Sequence, residues 1–114
     1  MGIQIIKNRI NANQLREIAE QDFKTVVKGV VDLQNKTIAL GGQLHADAES
    51  LMLQHGSKQE DLWGFNIRLD IPKDQRIEYT SFINIRPKQN NLSLEIQDLK
   101  LKEKIKMIIE GLVE

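Results

Sequence analysis

Thr25-Val26-Val27-Lys28-Gly29-Val30-Val31-Asp32-Leu33-Gln34-Asn35-Lys36-Thr37-Ile38-Ala39-Leu40 is the stretch whose reading decides the fold. Two runs rich in β-branched residues flank a short polar break, the pattern of an antiparallel hairpin. Its turn is expected at Gln34-Asn35 or Asn35-Lys36, because Asn tolerates positive φ, and Gly41-Gly42 breaks the second strand. Toward the N-terminus, Ile3 to Lys7 reads as a short strand. Asn11 or Asn13 can then cap a helix in which Leu15, Ile18, Ala19 and Phe23 recur at helical spacing.

Toward the C-terminus, a helix is expected from about Ala46 to His55. It carries Leu44, Ala48, Leu51, Met52 and His55 on one side, with Gly56 placed for a left-handed cap. Leu62 to Asp70 alternates cleanly, setting Trp63, Phe65, Ile67 and Leu69 against Gly64, Asn66 and Arg68. After the turn at Ile71 to Gln75, Ile77, Tyr79, Ser81, Ile83 and Ile85 are spaced as the inward face of a fifth strand. Pairing across this second hairpin brings Arg68 near Glu78 and Asn66 near Thr80. Pro87 ends the strand. Leu92 to Gln97 reads equally as a short strand or an ordered loop. Asp98 can cap a last helix with Leu101, Ile105, Ile108, Ile109 and Leu112 in one stripe. The order β-α-β-β-α-β-β-α predicts a single α+β domain over residues 1–114, an antiparallel-rich sheet packed on three helices.

The chain has 114 residues, 16 Lys plus Arg against 16 Asp plus Glu, and no cysteine. Balanced charge provides no global field for a polyanion or an anionic membrane, so nucleic acid is a disfavoured partner. Without cysteine there is no disulfide framework and no thiolate for catalysis or metal. The apolar run at Ile3 to Ile6 is too short for a signal peptide core or a membrane span, and the expected location is cytoplasmic.

Polar side chains with chemical potential gather at the edges of the predicted elements. His45 and Glu49 are four apart and share a helix face; with Asp61 they are the candidate set for a divalent metal. Asp47 and Glu49 also suit the first turn of a helix without any ligand. Gln59, Asp61 and Trp63 alternate at the entry to a strand, and Trp63 is in phase with the core residues that follow it. Asn84 and Arg86 share a face, and Arg86 could grip a carboxylate or phosphate. These positions, with Gln43, define a candidate polar ligand pocket between the second helix and the fourth and fifth strands. In a hydrolase or a phosphodiester-directed enzyme, His45 or Asp61 would act as base and Arg86 would stabilise developing negative charge. The competing reading is a non-catalytic interaction or regulatory module, of the kind found in toxin-antitoxin pairs, in which the same residues form a partner surface. An edge strand could also pair with a second copy to make a homodimer.

Gly41-Gly42-Gln43-Leu44-His45-Ala46-Asp47, Gly56-Ser57-Lys58-Gln59-Glu60-Asp61-Leu62-Trp63-Gly64 and Asn84-Ile85-Arg86-Pro87 resemble a family of short bacterial proteins catalogued only as a domain of unknown function. The likeness extends from Leu15-Arg16-Glu17-Ile18-Ala19 to Glu103-Lys104-Ile105. It implies no mechanism. In that family the segment matching Asn91 to Asp98 contains Gly and Pro, which implies a loop; this chain has neither residue there.

Overall fold

The computed structural model describes residues 2–114. Five strands, β1 (Gln4–Ile6), β2 (Val26–Asp32), β3 (Thr37–Leu40), β4 (Leu62–Arg68) and β5 (Ile77–Glu78), form one sheet in the order β1-β3-β2-β4-β5, and every pairing is antiparallel. Three helices, α1 (Ala12–Glu20), α2 (His45–Gln54) and α3 (Leu99–Leu112), complete the expected α+β order.

Helices α1 and α3 begin where the sequence provides a side-chain acceptor for free amides, whereas α2 starts after Leu44 without one. Asn11 and Gln14 make a reciprocal capping box on α1, and the Asp98 carboxylate accepts from the amides of Lys100 and Leu101. Helix α2 ends at His55, followed by Gly56 at φ 98. The expected stripes are buried at Leu15, Ile18 and Ala19 on α1 and at Ile105 and Ile109 on α3, with Leu101, Ile108 and Leu112 half-buried; Phe23, expected in the first stripe, lies beyond the end of α1 and is exposed.

Alternation along the strands divides the core in two. Val27, Val31, Ile38, Leu40, Trp63, Phe65 and Ile67 face α1 and α3. Val30, Ala39 and Leu62 face the other way, against Ala48 and Met52 of α2 and Ile83. Gly29 is required on the first face, because a Cβ there would lie 2.4 Å from Cζ of Phe65.

The β2–β3 turn is organised by Asp32. Its carboxylate accepts from the amides of Gln34 and Asn35, from Nδ2 of Asn35 and, at 2.5 Å, from the hydroxyl of Ser57 beyond α2. Burial raises the pKa of such an acid, but these hydrogen bonds together outweigh it and hold Asp32 below its ordinary value. With an aspartate fixing the loop, the positive φ falls on Lys36 (φ 55) rather than on an asparagine.

The fifth strand is much shorter than the alternation from Ile77 to Ile85 predicts. It stops at Glu78, and only an isolated bridge from Thr80 to Glu95 continues it. The chain turns because the Ser81 hydroxyl accepts from the amide of Ile83 and starts a 3-10 turn at Phe82–Asn84. Residues 91–98 are an ordered loop, tied by that bridge and by a second one between Arg86 and Asn91. The register across β4 and β5 is offset by two residues from the expected one, pairing Asn66 with Glu78 and Ile67 with Ile77; Arg68 still reaches Glu78 diagonally at 3.2 Å, and Nδ2 of Asn66 donates to the Thr80 carbonyl.

Candidate functional site

Because β5 ends early, the outer edge of β4 at Gly64 has no strand beside it. A buried edge with bare amides and carbonyls is costly, so something must take the place of the missing ladder. Asn84, fully buried, does so with its side chain. Its Oδ1 accepts from the Gly64 amide at 2.8 Å, and its Nδ2 protons are shared among the carbonyls of Gly64 (3.0 Å), Tyr79 (3.3 Å) and Leu94 (3.4 Å). One carboxamide thus reproduces both ladder bonds of a backbone residue. The approach is close because Gly64 has no side chain: a Cβ there would sit 2.5 Å from Cβ of Ser81.

Asn91 repeats the device one layer out. Its Nδ2 protons are shared among the carbonyls of Asn84, Ser93 and Glu95 at 2.8 to 3.1 Å, and its Oδ1 accepts from the Gln97 amide. The segment from Ser81 to Leu94 is therefore a rigid excursion from the sheet, closed at its base by the Ser81–Leu94 hydrogen bond and near its tip by the Arg86–Asn91 pair. Asn90 makes the tip turn at φ 61, where asparagine is well tolerated.

Arg86 clamps this excursion to the entry of β4. Its Nε donates to the Ile83 carbonyl, Nη1 to the Gln59 carbonyl and Gln89 Oε1, and Nη2 to the Leu62 carbonyl. The guanidinium lies 4.8 Å from the centre of the Trp63 ring and 3.6 Å from Oε2 of Glu49. Burial pulls Arg86 below its ordinary pKa and Glu49 opposes this, while an arginine stays charged throughout. Glu49 Oε2 has no other partner. The clamp gathers four of the sequence candidates, Glu49, Gln59, Trp63 and Arg86, beside a fifth, Asn84. It uses Gln59 through its carbonyl rather than its side chain.

The other candidates lie elsewhere. His45, on the first turn of α2, places Nε2 at 2.8 Å from the Phe65 carbonyl. A carbonyl only accepts, so Nε2 carries the proton and neutral His45 leaves Nδ1 as an acceptor. Burial lowers its pKa, the Phe65 carbonyl acts against this, and the nearby Lys28 adds to the lowering. Asp61 lines a cleft of about 420 Å³ with Lys104, Met107 and Ile108 of α3, on the other side of the sheet from α2. Gln43 and Asp47 are exposed. Among the described residues no three His, Asp or Glu side chains are gathered to hold a metal ion. His45, Glu49 and Asp61 each have a different neighbourhood: a backbone carbonyl, an arginine and the α3 cleft.

What sequence reasoning missed is the outside of the excursion. Phe82 is 82% exposed and Leu92 74%, with Ile85 at 45% and Leu94 at 38%. Ile85 and Leu92 adjoin the Arg86–Asn91 pair, and Phe82 and Leu94 adjoin the Ser81–Leu94 bond. The alternation Ile77, Tyr79, Ser81, Ile83, Ile85 gave no warning, since it places Phe82 and Ile85 in one strand and leaves Leu92 and Leu94 in a separate segment. The signal was available in Asn84, Asn90 and Asn91, residues that favour turns over central strands.

Fold and site together define a small α+β domain with a side-chain-braced excursion on an antiparallel sheet. The chain belongs to the family described as Protein of unknown function (DUF5674), whose model matches residues 4–112. No curated protein and no solved structure matches it. Among the described residues no helix is long and apolar enough to cross a membrane.

Proposed function

We propose that this domain is a non-catalytic binding module that docks an amphipathic, acid-flanked segment of a partner protein on the outer face of the Ser81–Leu94 excursion. One observation carries this reading: four large apolar side chains are held outward on a scaffold whose inward polar groups are committed to backbone. Contiguous exposed apolar surface marks interaction sites, and a rigid presentation lowers the entropy lost on binding. Between Tyr79 and Leu94 the only charged residues are Arg86 and Lys88. Arg86 is turned inward, which leaves Lys88 as the free charge on this face, and acidic flanks on the partner complement it.

The alternative, a hydrolase or phosphodiester-directed enzyme using His45, Asp61 and Arg86, draws less support from the geometry. An anion clamp needs free guanidinium donors, whereas those of Arg86 lie on carbonyls of Gln59, Leu62 and Ile83. A base and an electrophile also need a shared locus, and Asp61 faces α3.

The test is a displayed peptide library selected on the full chain and then compared on the Phe82→Ser/Leu92→Ser variant. Both positions are exposed, so folding should be retained. Enriched peptides should combine apolar anchors with Asp or Glu and bind the variant about tenfold or more weakly, as expected for loss of central apolar contacts. Equal binding to both forms removes this face from consideration. Reversible dimerisation that disappears in the variant, read by sedimentation, reassigns the face to a second copy of the chain.

A further inference from the structure

The two edges of the sheet are not alike. Beyond β5, residues 95 and 96 take up the edge: Glu95 bridges Thr80, and the Ile96 amide donates to the Tyr79 carbonyl at 2.9 Å. At the other end of the order, no strand among the described residues lies outside β1. The phase of the ladder can be followed out to that edge. The Gly41 amide donates to the Lys28 carbonyl at 2.9 Å, so with Val30 opposite Ala39 it is Ala39 and Thr37 that exchange bonds with β2. Ile38 and Leu40 therefore turn theirs to β1, where they meet Ile6 and Gln4. The N–H and C=O of Ile5 are left pointing away from the sheet, and alternation gives Ile3 and Lys7 the same phase.

An open edge accepts a strand, and its side chains decide which one. Ile3 and Ile5 lie on the α2 side, half-buried against the cluster that holds Met52. Lys7 closes one end of the edge, exposed and without an ion pair among the described residues. A lysine in this place disfavours strands that bring no acid to meet it. The chain carries such an acid at the opposite end of the same edge. Asp22, half-buried, accepts from the Gly42 amide at 3.0 Å, and the Ile3 side chain packs on Gly42. The edge is thus basic at Lys7 and acidic beside Ile3, with Ile5 between them, a pattern that complements itself when reversed.

We propose that the partner on this edge is a second copy of the chain, paired antiparallel through β1 about a two-fold axis at Ile5. Ile5 then exchanges both backbone bonds with Ile5 of the partner subunit, and Ile3 of each copy faces Lys7 of the other. The stem of Lys7 covers Ile3 and its ammonium comes to Asp22, twice by symmetry. The two Lys7 residues themselves stand four strand positions apart, about 14 Å, which is beyond the screening length at physiological salt. Two five-stranded sheets become one continuous sheet with both α2 helices on the same face. A contact of this length is far smaller than the roughly 20–30 residues a side of a standard interface, so association is weak and reversible. This edge is separate from the apolar excursion.

The experiment follows sedimentation of the full chain up to about 1 mM, a range that captures weak association, with amide exchange read by NMR at low and high concentration. A reversible monomer–dimer equilibrium is expected, and the Ile5 amide should exchange more slowly at the higher concentration. Lys7→Glu sets like charges at both ends of the contact; it alters an exposed side chain, so at low concentration it should keep its melting temperature, and it should dimerise about tenfold or more weakly. Adding Asp22→Lys to that variant should restore the dimer, and Lys7→Glu alone keeps the test valid if the double variant does not fold. A chain that stays monomeric throughout, or equal dimerisation of wild type and Lys7→Glu, overturns the site. So does a dimer in which Ile5 exchange is independent of concentration. A dimer lost in Phe82→Ser/Leu92→Ser but kept in Lys7→Glu belongs to the excursion and overturns this assignment alone.

Discussion

Replacing Asn84 by alanine should be among the most damaging single changes in the chain that leave the hydrophobic core intact. Its carboxamide accepts from the Gly64 amide on the outer edge of β4 and also donates to the Gly64 carbonyl. Alanine would strand both groups in a buried edge. An unsatisfied buried backbone group costs about 1–3 kcal/mol, so the pair gives about 2–6 kcal/mol. Against the roughly 5–15 kcal/mol of a typical domain, that is a large fraction of the total. Urea unfolding should show a lower midpoint at nearly constant slope, and hydrogen exchange at the Gly64 amide should accelerate in step. Asn84→Asp sharpens the test. It keeps an acceptor for the Gly64 amide but turns an oxygen toward the carbonyls of Gly64, Tyr79 and Leu94, so it should be worse at neutral pH than in acid, where a carboxyl group can donate. A loss below about 1 kcal/mol for the alanine variant, with Gly64 protection unchanged, would refute the idea that a side chain replaces a strand here.

The folded pKa of His45 lies below its ordinary 6.5. As pH falls below that value the unfolded chain takes up the proton first, so stability should be full above 6.5 and decline as pH drops toward the folded value. His45→Gln, whose side-chain amide can still donate to Phe65, should flatten that segment of the stability-versus-pH curve measured by urea unfolding. Gly29→Ala should cost about 1–3 kcal/mol through overpacking, because the new methyl would meet Phe65 at 2.4 Å; the melting temperature reads this directly.

The sheet and helices were legible because their signals are local and redundant. Leu62 to Arg68 alternates and is flanked by turn residues, and Asn11 with Gln14 and Asp98 announce two helix starts. The site was harder to read for a specific reason. Asn84 and Arg86 were recognisable as important polar residues, but nothing in sequence distinguishes a donor aimed at a ligand from one aimed at its own backbone. Both turned out to bond carbonyls as far off in sequence as Gly64 and Gln59, contacts that exist only after the sheet has formed. The end of β5 was illegible for a related reason. Continuous alternation from Ile77 to Ile85 is consistent with a strand, and a hydrogen bond from the Ile83 amide to the Ser81 hydroxyl decides against it.

The brace formed by Asn84 and Asn91 separates two kinds of sequence freedom. In an ordinary strand, alternate side chains share the work of register and contact, so changing the outward residues disturbs pairing. Here the register is written in two inward amides and a guanidinium, and Phe82, Ile85, Leu92 and Leu94 carry little of it. The outward letters can be rewritten while the frame stays the same, which makes the excursion an exchangeable printing face: a lineage, or a designer, could change what it recognises without having to solve the folding problem again.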